Sequence, residues 1–504
     1  MYKILKNTPF GFIFELENDS CYYNEKNYEI YINGELYLST SRNVNSIFGL
    51  KSDTLYSVVL KGLDISFDIK TKKPSYIINV RDYNATGDGI TCDTSAINVA
   101  IYSAPKNSTV FIPRGIYNVD QILLKSDVNI YLEKGAVIRQ NVNRSNLSVL
   151  KGYQKNYDHT EATINSSWEG SPLDCYCSLI YGKYVENVHI YGDGELNGNG
   201  ELGGWWVNPK DKSIAYRPRN IFLAECENIS VSGITTINSA SWNVHPFYSK
   251  NISFYALRIE SIEISPNTDG LNPESCQNVE IIGCSFSVGD DCIAIKAGKY
   301  FMSKSHYVPT KNVVIRNCHM EKGHGAVVIG SEMSCGIEDV EVSKCLFEQT
   351  DRGLRIKTRR GRGSKAVVDN IKFSNIKMDK VLHCFVVNMF YFCDPDGKSD
   401  YVKNKNVTVK DEETPTIKNI EILNISATNI LGSAIFIYGL PENKVENISV
   451  KDNSFQFAEE RINEVPAMMD DFDVIENLGI YINNGTNVKL ENNEFIGEFV
   501  NITE

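Results

Sequence analysis

The sequence predicts an all-β chain, a parallel β-helix preceded by a small antiparallel β-sandwich. Three observations carry this expectation: a short strand unit recurring from residue 187 to residue 490, an aromatic-rich stretch of different composition before residue 77, and a helix-sized segment between them. The unit reads Asn or Asp, apolar, any residue, apolar, and occurs at Asn187-Val188-His189-Ile190, Asn228-Ile229-Ser230-Val231, Asn251-Ile252-Ser253-Phe254, Asn278-Val279-Glu280-Ile281 and Asn312-Val313-Val314-Ile315. It continues from Asp339, Asn370, Asn419, Asn447 and Asn487. Each unit is one strand with period-2 alternation, opened by a residue that tolerates turn geometry. The irregular 20 to 50 residue spacing points to stacked coils with insertions on one face, because a single thin coil cannot bury its own apolar side.

Taken in order, residues 1–77 hold strands at Phe10–Phe14, Tyr28–Ile32 and Leu55–Leu60, separated by Asn, Gly and Ser turns that include Asn33-Gly34. That pattern predicts the sandwich. Asp93 or Thr94 is placed to cap a short amphipathic helix through Ile101, which would cover the open first coil and so protect a sheet edge. Val110–Tyr117 then begins the coils, and residues 78–504 form the β-helix.

Composition narrows the function. The net charge of -12 and a pI near 5.3 leave no basic footprint for nucleic acid, and an acidic substrate would need a local basic pocket. No apolar run of about 18 residues predicts a membrane span, and the first residues lack a secretory signal, so a cytoplasmic location is expected. Thirteen cysteines without a CxxC pair argue for reduced, mostly buried thiols. Cys284, Cys318 and Cys345 each follow a similar strand, as equivalent positions in successive repeats would.

Four motifs carry chemistry: Asn267-Thr268-Asp269-Gly270, Gly289-Asp290-Asp291-Cys292, Gly323-His324-Gly325 and Arg355-Ile356-Lys357. Cleaving a sugar-sugar bond needs one carboxyl to protonate the leaving oxygen and ionised carboxylates to activate water, and three clustered aspartates supply both. In a regular strand Asp290 and Asp291 would point to opposite faces, so a turn or bulge at Gly289 is required. Arg355 and Lys357, two residues apart, share one face. The other histidines, His159, His189, His245, His306, His319 and His383, lack metal spacing.

Segment Gly87–Tyr117 resembles the cap and first turn of pectin-degrading β-helix enzymes, and the four motifs, in order, resemble glycoside hydrolase family 28, the polygalacturonases. Ser239–Pro246 is similar to the family's strand ahead of the aspartates. The run Gly353–Gly363 and the leading sandwich resemble bacterial exo-acting members, which carry a fibronectin-III-like N-terminal domain. The resemblance covers roughly residues 78 to 500. It implies a right-handed, pectin-lyase-like solenoid that hydrolyses α-1,4-galacturonosyl bonds by inverting single displacement, without metal or organic cofactor, and the expected cytoplasmic location favours short oligogalacturonides over polymer and hence exo-action. It makes Asp290 the general acid, Asp269 and Asp291 the pair activating water, His324 a support for the acid and the sugar, and Arg355 with Lys357 the site for the galacturonate carboxylate. Asn267 would orient Asp269 or a water, or serve only as a turn residue. Tyr391 is the candidate sugar-contacting tyrosine or a core aromatic. His245 would line the cleft, whereas His189 reads as structural. Arg360, with Arg359 and Arg362, would widen the basic patch or lie in a solvated loop, and Lys296 and Lys299 are open in the same way.

Insertions at 299–310 and 393–416 are expected to wall off one end of the cleft. Other readings stay open: a relative acting on rhamnogalacturonan or xylogalacturonan, a calcium-dependent lyase on the same scaffold, or a non-catalytic β-helix that binds carbohydrate. Oligomeric state is not legible.

Overall fold

The computed structural model describes residues 1–155, 162–393 and 395–504. Seven strands between Tyr2 and Lys70 form two antiparallel sheets. One holds Tyr2–Thr8, Gly11–Leu16 and Val44–Phe48, and the other runs in the order Glu35–Arg42, Tyr23–Ile32, Leu55–Lys61, Ile65–Lys70. Between them Phe12, Phe14, Ile30, Val58 and Leu60 are buried. Asn33 and Gly34 take φ of 51° and 85°, the two-residue hairpin turn that Asn-Gly favours. The strand Ile77–Asn79 already pairs with the first coil, at Ser108–Ile112.

The rest is a right-handed parallel β-helix. Its stacking is in register: Ile252, Val279, Val313 and Val340 lie one above another, so each coil buries the apolar side of the next. The residue that opens each repeat explains why it is asparagine. Asn228, Asn251, Asn278 and Asn312 all sit near φ 56°, in the left-handed region that asparagine enters at low cost. Their side-chain amides also donate to the asparagine one coil below, at 3.2, 3.1, 2.9 and 2.9 Å, with Asn187 at the foot of the ladder. Cys284, Cys318 and Cys345 are buried thiols at equivalent turn positions, and eleven of the thirteen cysteines are buried.

The helix spans Thr94–Ser103 and buries Ile97, Ala100 and Ile101 against the first coil. Asp93 occupies the N-cap position without capping it. Its carboxylate instead accepts from the Thr86 and Gly87 backbone N–H groups at 2.6 and 3.0 Å, which ties down the preceding loop. The sandwich is docked on the outside of the coils. Glu15 accepts two bonds from Arg316, at 2.7 and 2.8 Å, and one from Asn317 at 2.7 Å, beside a cluster of Phe48, Tyr131 and Tyr191.

One wall of the solenoid positions the site. It runs through Ile180–Lys183, Ile221–Ala224 and Val244–Phe247, passes the bridges Leu271↔Ile293 and Glu274↔Lys296, and continues through Asp291–Ile295, Gly325–Gly330, Arg352–Lys357 and His383–Asn388. Asp269, Asp290, His324 and Arg355 thereby come from four successive coils.

Candidate active site

Asp269 and Asp291 lie on neighbouring coils, joined where Gly270 N–H donates to Asp291 O at 3.0 Å. Asp291 opens its strand, whereas Gly289 and Asp290 form a bend before it. This break in alternation brings two sequential carboxyls to one cleft. Gly289 is needed for room: a Cβ there would lie 2.4 Å from the Ser265 carbonyl oxygen of the coil below. The Asp291 N–H donates to Asp290 Oδ1 at 2.9 Å, fixing the bend. Gly325, in register with Asp291, leaves the Asp291 carboxylate space, since a Cβ would stand 3.3 Å from Oδ1 and only 2.4 Å from Val328. Asp269 and Asp291 are buried, and Asp290 is partly exposed.

Three cations surround these carboxyls. Lys357 Nζ is 2.8 Å from Asp291 Oδ2 and Arg355 Nη1 is 3.6 Å from Oδ1, while Lys296 Nζ stands 3.8 Å from Asp269 Oδ2 and 3.3 Å from Glu332 Oε2. Burial works to raise the Asp291 pKa, but Lys357 and Arg355 outweigh it and hold the group at about 2. Burial, with the neighbouring Asp291 charge, pushes Asp290 up. Burial and Asp290 push Asp269 well up. Asp291 is therefore the fixed anion, and the Asp269/Asp290 pair shares a proton because two more buried like charges cannot both ionise.

His324, half exposed, hydrogen-bonds through Nδ1 to Asp351 Oδ2 at 2.7 Å, and that bond, with the Asp290 and Asp291 charges and against burial, lifts its pKa to about 8. Asn267 has φ 54°, and its Oδ1 accepts from Arg217 Nη2 at 2.6 Å. Arg217 also holds the Pro266 and Ala240 carbonyls, at 2.7 and 2.8 Å. Arg355 and Lys357 lie over the Tyr391 ring at 5.8 and 5.3 Å from its centroid. Tyr391 is only 5% exposed, so it beds these two cations.

Two expected site residues are displaced. His245 is fully buried, with Nε2 2.9 Å from Glu274 Oε2, and burial keeps its imidazole neutral, so it does not line the cleft. Arg360 is also buried. It forks onto Glu442 at 2.6 and 2.9 Å and donates to the Tyr401 and Asn404 carbonyls, all its reach turned inward to hold the 393–416 insertion. Arg359 and Arg362 are buried too, not in a solvated loop. His189 is structural, with Nε2 2.6 Å from Ser232 Oγ. His159 lies outside the described residues. Arg217, Glu332 and Asp351 went unnoticed in the sequence, since each acts through a partner on another coil, and Trp242 stood out only as part of the Ser239–Pro246 segment. Among the described residues no group of three or more His, Cys, Asp or Glu side chains is arranged to hold a metal ion.

Residues 165–171 form a strap across the earlier coils. Trp168 stacks on Trp242, ring centroids 6.0 Å apart and planes 7° from parallel, and Lys296 Nζ sits 4.7 Å over Trp242. Gly170 O accepts from Lys299 N–H at 3.0 Å. Gly170 is required at this crossing: its φ is +71° and a Cβ would meet Lys299 N at 2.8 Å.

Comparison with known proteins agrees with this geometry. Residues 103–469 match the family described as Glycosyl hydrolases family 28. A probable polygalacturonase of Vitis vinifera is 31% identical over 385 residues, covering 75% of this chain and 74% of that protein. The exo-poly-alpha-D-galacturonosidase of Dickeya chrysanthemi is 27% identical over 427 residues, 75% of this chain and 69% of that one. The solved structure of a family 28 exopolygalacturonase from Yersinia enterocolitica, at 19% identity, superposes with a TM-score of 0.70 over 100% of this chain and 98% of that chain, which shows the shared fold. With the family match spanning well over half of the sequence, this protein belongs to glycosyl hydrolase family 28.

Proposed function

We propose that the protein hydrolyses α-1,4 bonds between galacturonic acid units of oligogalacturonides, from chain ends and by single displacement. The observation that carries this reading is the opposite treatment of two sequential carboxyls: Asp291 is pinned as an anion by Lys357 at 2.8 Å, while Asp290 is pushed up toward its protonated form. Separating the proton affinities of paired carboxyls assigns acid and base. Asp290 donates its proton to the glycosidic oxygen as the bond to C1 breaks. Water, held between Asp269 and Asp291 and losing its proton to the ionised Asp291, forms the new bond to C1 from the opposite side. Arg355 and Lys357 retain donors beyond those facing Asp291, and these meet the sugar carboxylate. The names of the Vitis and Dickeya relatives support a galacturonan substrate.

Exo-action is supported by the strap. The path from Asp269 through Lys296 and Trp242 to Trp168 has steps of 3.8, 4.7 and 6.0 Å, which puts residues 165–171 close to the reacting carboxyls, where a strap closing the cleft would stop a polymer from running through. The 299–310 insertion contributes by holding Gly170, whereas the 393–416 insertion packs around Arg360. Eleven buried free thiols are consistent with a reducing compartment, and we place the protein in the cytoplasm on that ground.

The test is to follow polygalacturonate viscosity and reducing ends together. Reducing ends that rise while viscosity barely falls support exo-hydrolysis. An early collapse of viscosity makes the enzyme endo-acting, and no new reducing ends moves the substrate to another pectic linkage.

A further inference from the structure

The least expected group at the cleft is a further carboxylate, Asp351, on the coil above the histidine. Asp351 Oδ2 lies 2.7 Å from His324 Nδ1, and the two residues are stacked on adjacent coils, with Asp351 N–H donating to Gly323 O at 3.0 Å. Asp351 is itself fixed: Arg352 Nη1 is 3.4 Å from the same oxygen, and Arg352 is held in turn by Glu464 Oε1 at 3.3 Å and the Pro466 carbonyl at 3.2 Å. On the other side, His324 N–H donates to the backbone oxygen of Asp290 at 3.1 Å, which sets the ring beside the candidate acid. With Nδ1 occupied, Nε2 is the ring nitrogen without a partner among the described residues, on a side chain that is 55% exposed.

We propose that Asp351 is a positioning residue for His324, holding the imidazole through Nδ1 so that the Nε2–H is presented to the cleft as a fixed donor. This rests on the active site proposed above. A carboxylate on one ring nitrogen fixes the tautomer and the ring plane, and favours the doubly protonated ring, in which Nε2 can only donate. That donor meets a sugar oxygen or carboxylate and adds one positive charge to a cleft whose ligand is acidic. The charged groups acting on the ring are Asp290 and Asp291 from the preceding coil and Asp351 from the following one; Arg352 and Arg355 act on Asp351, and Lys322, next but one in sequence to His324, is paired with Glu263 at 3.7 Å. The carboxylates favour the imidazolium, while Arg352 is shared between Asp351 and Glu464 and Arg355 faces Asp291. The raised histidine pKa of about 8 agrees with this arrangement.

The test uses the full chain with 13C-labelled histidine, in wild type, Asp351→Asn and Asp351→Glu, the His324 resonance being identified by its loss in His324→Gln. In wild type His324 titrates near 8, and in Asp351→Asn it falls by more than one unit toward its ordinary 6.5, with Asp351→Glu recovering most of the shift. The alkaline limb of kcat/KM follows the same displacement, and kcat/KM on trigalacturonate at pH 7.5 drops about tenfold. In the His324→Gln background Asp351→Asn adds no further loss, since it acts through the ring. An unchanged His324 titration overturns the proposal, as does an equal loss from Asp351→Asn with and without His324. The resonance reads the dyad without turnover, so a protein inactive on galacturonides would contradict the proposed function and leave this result standing.

Discussion

Lys357 Nζ lies 2.8 Å from Asp291 Oδ2, so a residue expected to hold the substrate carboxylate is also the one that keeps a reacting carboxylate ionised. Lys357→Met should therefore do more than weaken binding. Asp291 stays buried without its cation, its pKa rises from about 2, and the acid limb of kcat/KM moves to higher pH, with kcat/KM down on the order of a hundredfold at the optimum. The pH profile is the readout, since loss of a mere binding group would raise KM and leave the limb in place.

Asp290→Asn should abolish turnover by about a thousandfold or more while the protein melts a few degrees higher. The sign follows from the pKa directions: Asp290 is pushed up by burial and the Asp291 charge, and Asp269 by burial and the Asp290 charge, so removing the Asp290 carboxyl relieves repulsion on both neighbours. Thermal unfolding of the two proteins at one pH checks it, and a lower melting temperature would contradict the crowding argument.

Arg360→Met tests the reassignment of that arginine. Breaking its fork with Glu442 leaves a buried carboxylate alone and should cost about 3–5 kcal/mol of stability. KM for trigalacturonate in the protein that remains folded should change by less than twofold, against the large effect expected at Lys357.

The asparagine ladder makes a prediction for the scaffold. Asn278→Ala keeps a β-carbon at φ 57° without the short polar side chain that makes the left-handed region tolerable, and removes an amide bonded at 2.9 Å to the coils on both sides, so it should destabilise by about 1–3 kcal/mol. Asn278→Gly removes the bonds without the strain and should lose less. Denaturant unfolding of the pair separates the two contributions.

These cases also mark what a sequence can reveal here. The coils were legible because every turn demands the same backbone, so the residue suited to it recurs at each repeat. The reacting carboxyls were legible because Asp290 and Asp291 are adjacent and need a bend that Gly289 announces. His245 and Arg360 were misread because their character is set by Glu274 and Glu442, which lie 29 and 82 residues away and meet them only once the coils stack. Arg217 and Asp351 were missed for the same reason: nothing in Arg217-Pro218-Arg219 hints at Asn267, and Asp351 becomes a partner of His324 only by lying one coil above it. Asp93 sits where a helix cap belongs, but its carboxylate turned to the loop behind.

The most direct test of the whole account follows the first product of trigalacturonate by proton NMR, with wild type and Asp290→Asn side by side. The account predicts that wild type releases galacturonic acid from the chain end, that the newly formed reducing sugar appears first as the β-anomer before mutarotation, and that the variant forms none on the same timescale. Initial release of the α-anomer, or full activity in Asp290→Asn, would contradict it.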